Sequence, residues 1–315
     1  MLSMPRFAVA ASLMAAAGSV LAYDDEVCGS GGYHSDGNAY AFYPNAWDPE
    51  DGGFTCMGIN QDPPEFDVTW RWTETPDSVN SYPHVKFQNT NVPSSIGNIT
   101  SLRLKTSWGL GGPDEDFPVE GIQASDINAI DLRCNVGWDM FGASDLEASQ
   151  AEVNATTEIM IWLGLFGKPW PLGYSKEPKY PAQTLGGVDF NLYDGMNERG
   201  QTVLTWVAAE NVTEFDAEVL PLIEYLLDND FVDGDDILGL VEFGSEAFYA
   251  TDNVTFSAYN MEVTLETDDP EDKYPFSGGD DGDDGSDDDN AGVSAARLSL
   301  GLVFGAFISA ASFLL

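Results

Sequence analysis

The residues of this chain best suited to chemistry are carboxylates that sit among apolar side chains. Glu158 is the clearest case, because it lies within the segment TTEIMIWLG, which alternates as a β-strand does. Alternation places Glu158 on one strand face with Met160 and Trp162, opposite an entirely aliphatic face. Glu is a poor strand former and rarely lies among apolar side chains without a partner or a function. Glu158 is therefore a candidate catalytic carboxylate.

Two other carboxylates have a similar setting. Glu246, in VEFGSEAFYA, shares a predicted strand face with Phe248, and Asp139, in VGWDMF, is flanked by aromatic residues. Other chemistries lack the residues they need. The chain has two His, which argues against a Ser-His-Asp triad and a His/Cys metal site, and it has no Gly-rich phosphate loop. Carboxylate chemistry without metal or cofactor remains, and a structural carboxylate is the alternative for each residue.

The aromatic residues point to a sugar ligand. The chain has 8 Trp, among them Trp70 and Trp72 on one predicted strand face in FDVTWRW, and Trp162 beside Glu158. Sugar rings stack their apolar C–H faces on aromatic rings, while their hydroxyl groups need polar partners. We therefore expect Trp72 and Trp162 to bind sugar; the alternative is that each belongs to the core.

These side chains must be positioned by strands. Short segments rich in β-branched and aromatic residues, separated by Gly, Pro, Asn and Asp, predict an all-β domain. One helix is predicted from about Asp216 to Leu227, with Asp216 as its cap and Pro221 near its first turn. Many antiparallel strands with one packed α-helix indicate a two-sheet antiparallel sandwich of the β-jelly-roll type.

Both ends of the chain predict sorting signals. Residues 1–22 combine a basic residue, an alanine-rich apolar run and a small-residue cleavage site, which is typical of a secretory signal peptide. Residues 266–290 are rich in Asp and Gly and predict an acidic disordered stalk. Residues 291–315, with Asn290 as the ω site, predict a GPI-anchor signal, with a C-terminal membrane segment as the alternative. The folded domain is then 23–265.

The charge and the ends of the chain together suggest where the protein acts. A net charge of −41 argues against nucleic acid or an anionic membrane surface as a partner. We expect an extracellular protein at the cell surface or wall, held there by the lipid anchor or the C-terminal segment. Nothing in the sequence indicates oligomerisation, and we expect a monomer.

The three cysteines and the sequons agree with secretion. Cys28 and Cys56 lie in a Gly-rich N-terminal region and are the natural disulfide pair. Cys134 lies in a strand-like run and is expected to be a buried free thiol. Four sequons predict N-glycosylation sites at Asn98, Asn154, Asn211 and Asn253.

Several motifs, in order along residues 28–265, resemble glycoside hydrolase family 12, which comprises small fungal and bacterial endoglucanases. EIMIWL begins at Glu158 and is followed by PLG at 171–173. The other motifs are YPNAW, WRWTETPDSVNSYPHVKF, VGWDMF, LYDGMN, VLTWVA and FGSEAF. The sequence departs from the family at the last of these, because Glu246 is followed by Ala where the family often has Pro.

The resemblance implies a β-jelly-roll whose concave cleft binds β-1,4-glucan and a retaining mechanism. It implies Glu158 as the nucleophile, Glu246 as the general acid/base and Asp139 as the carboxylate that supports the nucleophile. In the resting enzyme we expect Glu246 protonated and Glu158 ionised. The positions that match substrate-binding residues of the family are Asn45 and Trp47 in the negative subsites, and Met160, Trp162, Pro171 and Phe248 along the cleft.

The sequence is compatible with three functions. The first is an endo-β-1,4-glucanase acting on cellulose-type or mixed-linkage glucan. The second is a xyloglucan-specific endo-β-1,4-glucanase, which would differ in the loops around the cleft. The third is a non-catalytic glucan-binding wall protein, against which the joint presence of Glu158, Glu246 and Asp139 argues.

Overall fold

In the computed structural model, the described residues are 23–268, apart from 36, 38, 48–51, 89, 90 and 114. The predicted signal peptide, nearly all of the predicted stalk, the anchor signal and Asn290 lie outside them. Within the described residues, no helix has the length and hydropathy needed to span a membrane.

Strands dominate the described residues. In chain order they are β1 (Asp25–Cys28), β2 (Tyr33–His34), β3 (Tyr40–Tyr43), β4 (Gly53–Gln61), β5 (Pro64–Trp72), β6 (His84–Phe87), β7 (Ser94–Ser95), β8 (Ile99–Gly111), β9 (Gly121–Ile122), β10 (Arg133–Ala143), β11 (Thr157–Phe166), β12 (Gln183–Leu185), β13 (Val188–Met196), β14 (Thr202–Ala208), β15 (Glu214–Glu218), β16 (Ile237–Gly244), β17 (Ala247–Tyr249) and β18 (Val254–Thr267). The helices are α1 (Ala124–Ile127), α2 (Leu146–Ser149), α3 (Leu220–Asp228) and a 3-10 turn, Ile96–Asn98.

The strands form two sheets. The smaller sheet has the order β1-β4-β5-β18-β8-β15, with β9 beside β8. The larger sheet has the order β12-β13-β14-β11-β10-β16-β6-β3-β2, with β17 beside β10 and β7 beside β16. The predicted all-β, two-sheet jelly-roll is therefore confirmed, although two pairs, β11 with β14 and β8 with β9, run parallel rather than antiparallel.

The core lies between the sheets, where alternating side chains of each inner face meet. The aliphatic face of β11 packs into this core, as the alternation predicted. Each sheet also contributes indole rings that are fully buried, with Trp70 and Trp108 from the smaller sheet and Trp138 and Trp206 from the larger. Since the inner face of the larger sheet is filled by the core, its other face is left to form a site.

The one longer helix is confirmed, but it begins later than predicted. It starts at Leu220 with Pro221 in its first turn, and its buried side chains are Leu222, Ile223 and Leu226. Asp216 does not cap it. Residues Glu214–Glu218 pair with β8 as a strand, and Asp216 lies 2.7 Å from Arg103 in an ion pair. Backbone pairing along the open edge of β8 outweighs the local capping preference.

The predicted disulfide is also confirmed. Cys28 and Cys56 are bonded and join the edge strand β1 to β4. The third cysteine, Cys134, is free and fully buried in β10, as expected.

Candidate active site

The outer face of three neighbouring strands, β14, β11 and β10, forms the floor of a cleft, and β16 continues the sheet beside β10. One row of in-register residues crosses these strands: Thr205, Met160, Asp139 and Glu242. The cleft has a volume of about 420 Å³. Because residues of one row on neighbouring strands project from the same sheet face, the cleft runs across the strands rather than along them.

Glu158, Asp139 and Glu246 all line this cleft. They come from β11, from β10 and from the turn between β16 and β17. Glu158 has Phe141 as its neighbour on β10 and Val203 on β14. The structure thus brings together the three carboxylates that the sequence singled out.

Asn135 holds Glu246 in place. Its side-chain Nδ2 donates to Oε2 of Glu246, and its Oδ1 accepts from the backbone N–H of Glu246 at 3.1 Å. The carbonyl of Asn135 in turn accepts from the hydroxyl of Ser245 at 2.6 Å. Sequence reasoning missed Asn135; the only signal was its position four residues before Asp139 on a strand that already carried a candidate.

Both glutamates hold protons more tightly than usual. Burial, and then repulsion from Glu246, raise the pKa of Glu158 to about 8. Burial raises the pKa of Glu246 to about 7, against the hydrogen bond from Asn135, which favours the ionised form. By these pKa values Glu246 loses its proton before Glu158, whereas we expected from the sequence that Glu158 would be ionised and Glu246 protonated. The described residues give Glu158 no hydrogen bond that would stabilise its charge, whereas Glu246 has one.

Asp139 is the third carboxylate of the cleft and is buried. It is 5% exposed, and its Oδ1 has no hydrogen-bond partner among the described residues. Burial and then the charge of Glu158 raise the pKa of Asp139 well above its usual range. A protonated Asp139 is a hydrogen-bond donor beside Glu158, which suits a group that supports an anionic neighbour.

A buried charged cluster adjoins the cleft on the β16 and β6 side. The Lys86 Nζ lies 2.5 Å from Glu152 and 3.4 Å from Glu242, whose side chain is fully buried. The Nε2 of His84 lies 3.6 Å from Glu242. Burial lowers the pKa of His84 to about 4, so this ring is neutral at neutral pH.

The same cluster contains the one group of potential metal ligands found among the described residues: His84, Glu152 and Glu242 have ligand atoms within 4.8 Å of one another. The ammonium group of Lys86 already supplies the positive charge there. Lys86 pairs with Glu152, and burial raises the pKa of Glu242 well above its usual range, so the cluster needs no metal to balance its charge.

Most of the predicted substrate-binding residues line the cleft, namely Asn45, Trp47, Met160, Trp162, Pro171 and Phe248. Trp72 does not. It is 1% exposed within the core, and its indole N–H donates to Ser81 at 3.0 Å. Trp72 shares a face with Trp70 as predicted, but that face is the inner face of the smaller sheet, so the prediction of sugar stacking by Trp72 is wrong.

The loop that carries Trp47 is fixed to the segment before β6. Trp47 N–H donates to the carbonyl of Asn80 at 3.0 Å, and Tyr82 N–H donates to the carbonyl of Asn45 at 3.1 Å. Trp47 is 56% exposed, so its ring is open to a ligand. The cleft also includes residues for which the sequence carried no signal: Tyr82, Glu152, Trp170, Arg199, Gln201 and Thr205.

The four sequons differ in exposure. Asn154 and Asn211 are exposed, whereas Asn98 and Asn253 are half-buried. Asn154 lies just before β11, close in sequence to Glu158. Glycosylation at these positions stays a prediction.

Comparison with known sequences finds one family. Residues 38–266 match the model of glycosyl hydrolase family 12. The xyloglucan-specific endo-β-1,4-glucanase A of Emericella nidulans is 28% identical over 245 residues, which are 76% of this chain and 91% of that protein. The protein of the same name from Aspergillus aculeatus is 26% identical over 229 residues, 71% of this chain and 85% of that protein.

Solved structures share the fold. Endoglucanase 3 of Trichoderma harzianum matches with a TM-score of 0.61 at 23% identity, over 78% of this chain and 100% of that one. The family 12 xyloglucanase of Bacillus licheniformis matches with a TM-score of 0.60 at 19% identity, over 77% of this chain and 100% of that one.

Proposed function

Because the chain belongs to glycosyl hydrolase family 12, we propose that it is an endo-β-1,4-glucanase that cleaves β-1,4-glucan by double displacement. The observation that carries this proposal is that Glu158 and Glu246 line the same open cleft, which also exposes aromatic rings. Two carboxyl groups beside one bound sugar are the groups that glycoside hydrolysis needs.

In the first step, Glu158 attacks the anomeric carbon while Glu246 protonates the leaving oxygen. In the second step, Glu246 removes a proton from a water molecule, and that water releases the sugar from Glu158. This mechanism requires a carboxyl separation of about 5–5.5 Å. The initial product is then the β-anomer, which proton NMR of a fresh digest distinguishes from the α-anomer of an inverting enzyme.

The raised pKa values of Glu158 and Glu246 supply a proton for catalysis but do not assign it to Glu246, because the pKa of Glu158 is the higher of the two. Glu158 and Glu246 repel each other, so they titrate as a pair and keep a proton up to about neutral pH. The reactive form is the one in which Glu246 carries that proton and Glu158 is the nucleophile. Asn135 positions Glu246, and a protonated Asp139 would serve as the hydrogen-bond donor to Glu158 once Glu158 is ionised.

The substrate has two candidates within this class. Cellulose-type or mixed-linkage glucan is the first. Xyloglucan is favoured by the curated relatives, since relatives at 26–29% identity are named as xyloglucan-specific or probable xyloglucan-specific endo-β-1,4-glucanases. Comparing the rates on carboxymethylcellulose, mixed-linkage β-glucan and xyloglucan separates them.

The decisive experiment compares the wild-type chain with Glu158→Gln. We expect reducing-end release from the preferred glucan to fall by on the order of a thousandfold or more, because no nucleophile remains. Glu147→Gln is the matched control, since Glu147 is exposed on α2 and outside the cleft. A folded wild-type protein that binds glucan without cleaving any would overturn the proposal in favour of a binding protein.

We also propose that the enzyme is secreted and held at the cell surface. The support is the sequence of residues 1–22 and 266–315 and the acceptor sequons. A reporter protein fused to residues 266–315 tests this: free release of the reporter into the medium would contradict anchoring.

A further inference from the structure

An exposed stack of aromatic rings stands at one side of the cleft. The rings of Trp170 and Tyr174 are parallel within 20° and 3.9 Å apart, and Tyr174 packs on Tyr193 of β13 at 5.5 Å. Trp170 is 48% exposed and Tyr174 is 38% exposed, whereas Tyr193 is nearly buried. Large aromatic side chains usually lie in a core, so two open rings supported by a buried third need an explanation.

The loop that carries these rings is tightly held on β13. Gly173, at φ +74°, lies so close to the Asp194 carbonyl that a Cβ would come within 1.8 Å of it. A Cβ on Gly195 would lie 2.6 Å from that of Leu172. Asp194 also accepts from the Tyr180 hydroxyl at 3.0 Å. The stack is therefore pre-organised, which lowers the entropy cost of binding a ligand to it.

The stack continues the floor of the cleft. The row that crosses the floor begins at Tyr193, whose neighbour on β14 is Thr205, and then passes through Met160 and Asp139. Trp170 itself lines the same cavity as Glu158. A chain of sugars lying across the strands would reach the stack without leaving the cleft.

Sheet order places the stack and Trp47 on opposite sides of Glu158. Trp47 follows β3, on one side of β11, and the stack rests on β13, on the other side. Glu158 on β11 lies between them. If Trp47 binds sugars in the negative subsites, as the resemblance to the family implies, the sugars that become bonded to Glu158 lie on its side and the opposite side holds the leaving group.

We propose that Trp170, supported by Tyr174 and Tyr193, is the stacking platform for a leaving-group-side sugar of the glucan. The site takes the C–H face of a pyranose ring. It would also hold an acceptor sugar after the leaving group departs. The acceptor hydroxyl then attacks the anomeric carbon, the ester bond to Glu158 breaks, the new glycosidic bond forms, and the hydroxyl proton passes to Glu246. This inference rests on the proposed function.

The test compares wild type with Trp170→Ala and Trp170→Phe on the glucan that the wild type cleaves, with an added acceptor oligosaccharide. Loss of one stacking ring should lower the ratio of transfer to hydrolysis by about threefold to tenfold. Trp170→Phe should retain part of the ratio of transfer to hydrolysis that Trp170→Ala loses. Both reactions share the same glycosyl-enzyme, so a general loss of structure would not change their ratio.

Met196→Ala is the matched control, because Met196 is 67% exposed on β13 but outside the cleft. An unchanged ratio in Trp170→Ala, or an equal fall in Met196→Ala, overturns the proposal. A second arm measures calorimetric binding of the oligosaccharide to Glu158→Gln with and without Trp170→Ala. If the wild type cleaves no glucan, the proposed function fails, and this arm alone decides: weaker binding supports the platform and equal binding refutes it.

Discussion

At the scale of the residue, the site concentrates carboxyl groups that the fold withdraws from water. Asp139, Glu158, Glu246 and Glu242 all have raised pKa values, and burial is the largest cause in each case. Lys86, at 18% side-chain exposure, forms ion pairs with one of these groups, Glu242, and with the neighbouring Glu152. Its charge offsets part of the cost of keeping acidic side chains in one place.

Lys86→Met should therefore destabilise the protein. Burial alone would lower the pKa of Lys86, but the charges of Glu242 and Glu152 raise it, so the ammonium is strongly held. Removing one partner of a largely buried pair costs roughly 3–5 kcal/mol, which urea unfolding measures. Arg103→Met is the control, because its ion pair with Asp216 is half exposed and should matter far less. Equal losses in both variants would show that the cluster has no special role.

At the scale of the element, β11 and the loop that follows it place the centre of the cleft floor and the aromatic stack. β11 is placed between β10 and β14, so its outer face lies at the centre of the cleft floor. The loop between β11 and β12 returns over β13 and carries Trp170. Its close approach to β13 depends on Gly173, where φ is positive and no side chain fits.

Gly173→Ala should displace this loop and lower the rate of glucan cleavage. The added Cβ meets the backbone of Asp194, which cannot rotate away. Gly186→Ala is a matched control: φ there is +59°, so the backbone strain is alike, but nothing lies within 4 Å. We expect Gly186→Ala to cost about 1 kcal/mol of stability and leave the cleavage rate unchanged. A similar fall in rate for both would mean that strain, and not the clash, is responsible.

At the scale of the whole molecule, acidity dominates. The chain carries a net charge of −41, so self-repulsion opposes compact folding more strongly as carboxyl groups ionise. Ionisation of the carboxyl groups in the cleft also destabilises the folded state. Glu158 and Glu246 are protonated in the folded protein at pH values where they are ionised in the unfolded chain.

Stability should therefore fall as the pH rises. Between about pH 4.5 and pH 8 the folded state binds more protons at Glu158 and Glu246 than the unfolded state does. The contribution of these two groups to the free energy of unfolding is therefore complete below that window and is lost as the pH rises across it. We expect the Tm to be several degrees lower at the upper end than at the lower end, measured by calorimetry. The double variant Glu158→Gln/Glu246→Gln should have a flatter profile; a Tm that rises with pH in the wild type would contradict this.

The sequence by itself determined features that depend on neighbours along the chain. Alternation in TTEIMIWLG assigned Glu158 to one face of β11 and the aliphatic side chains to the core, because a strand turns successive residues to opposite sides. The same local logic found the helix α3, although not the residue at which it begins. The cysteine pair and the jelly-roll class were also predictable, the latter with support from the family resemblance.

Only the tertiary structure decided which strand face meets solvent and which residues from distant segments meet. Trp72 and Trp162 have similar local patterns, yet one faces the core and the other the cleft, because sheet packing and not alternation chooses the buried side. The contact of Asn135 with Glu246 joins residues 111 positions apart. The stack of Trp170 on β13 likewise joins separate elements. Such contacts depend on strand order and loop paths, which periodicity along the chain does not encode.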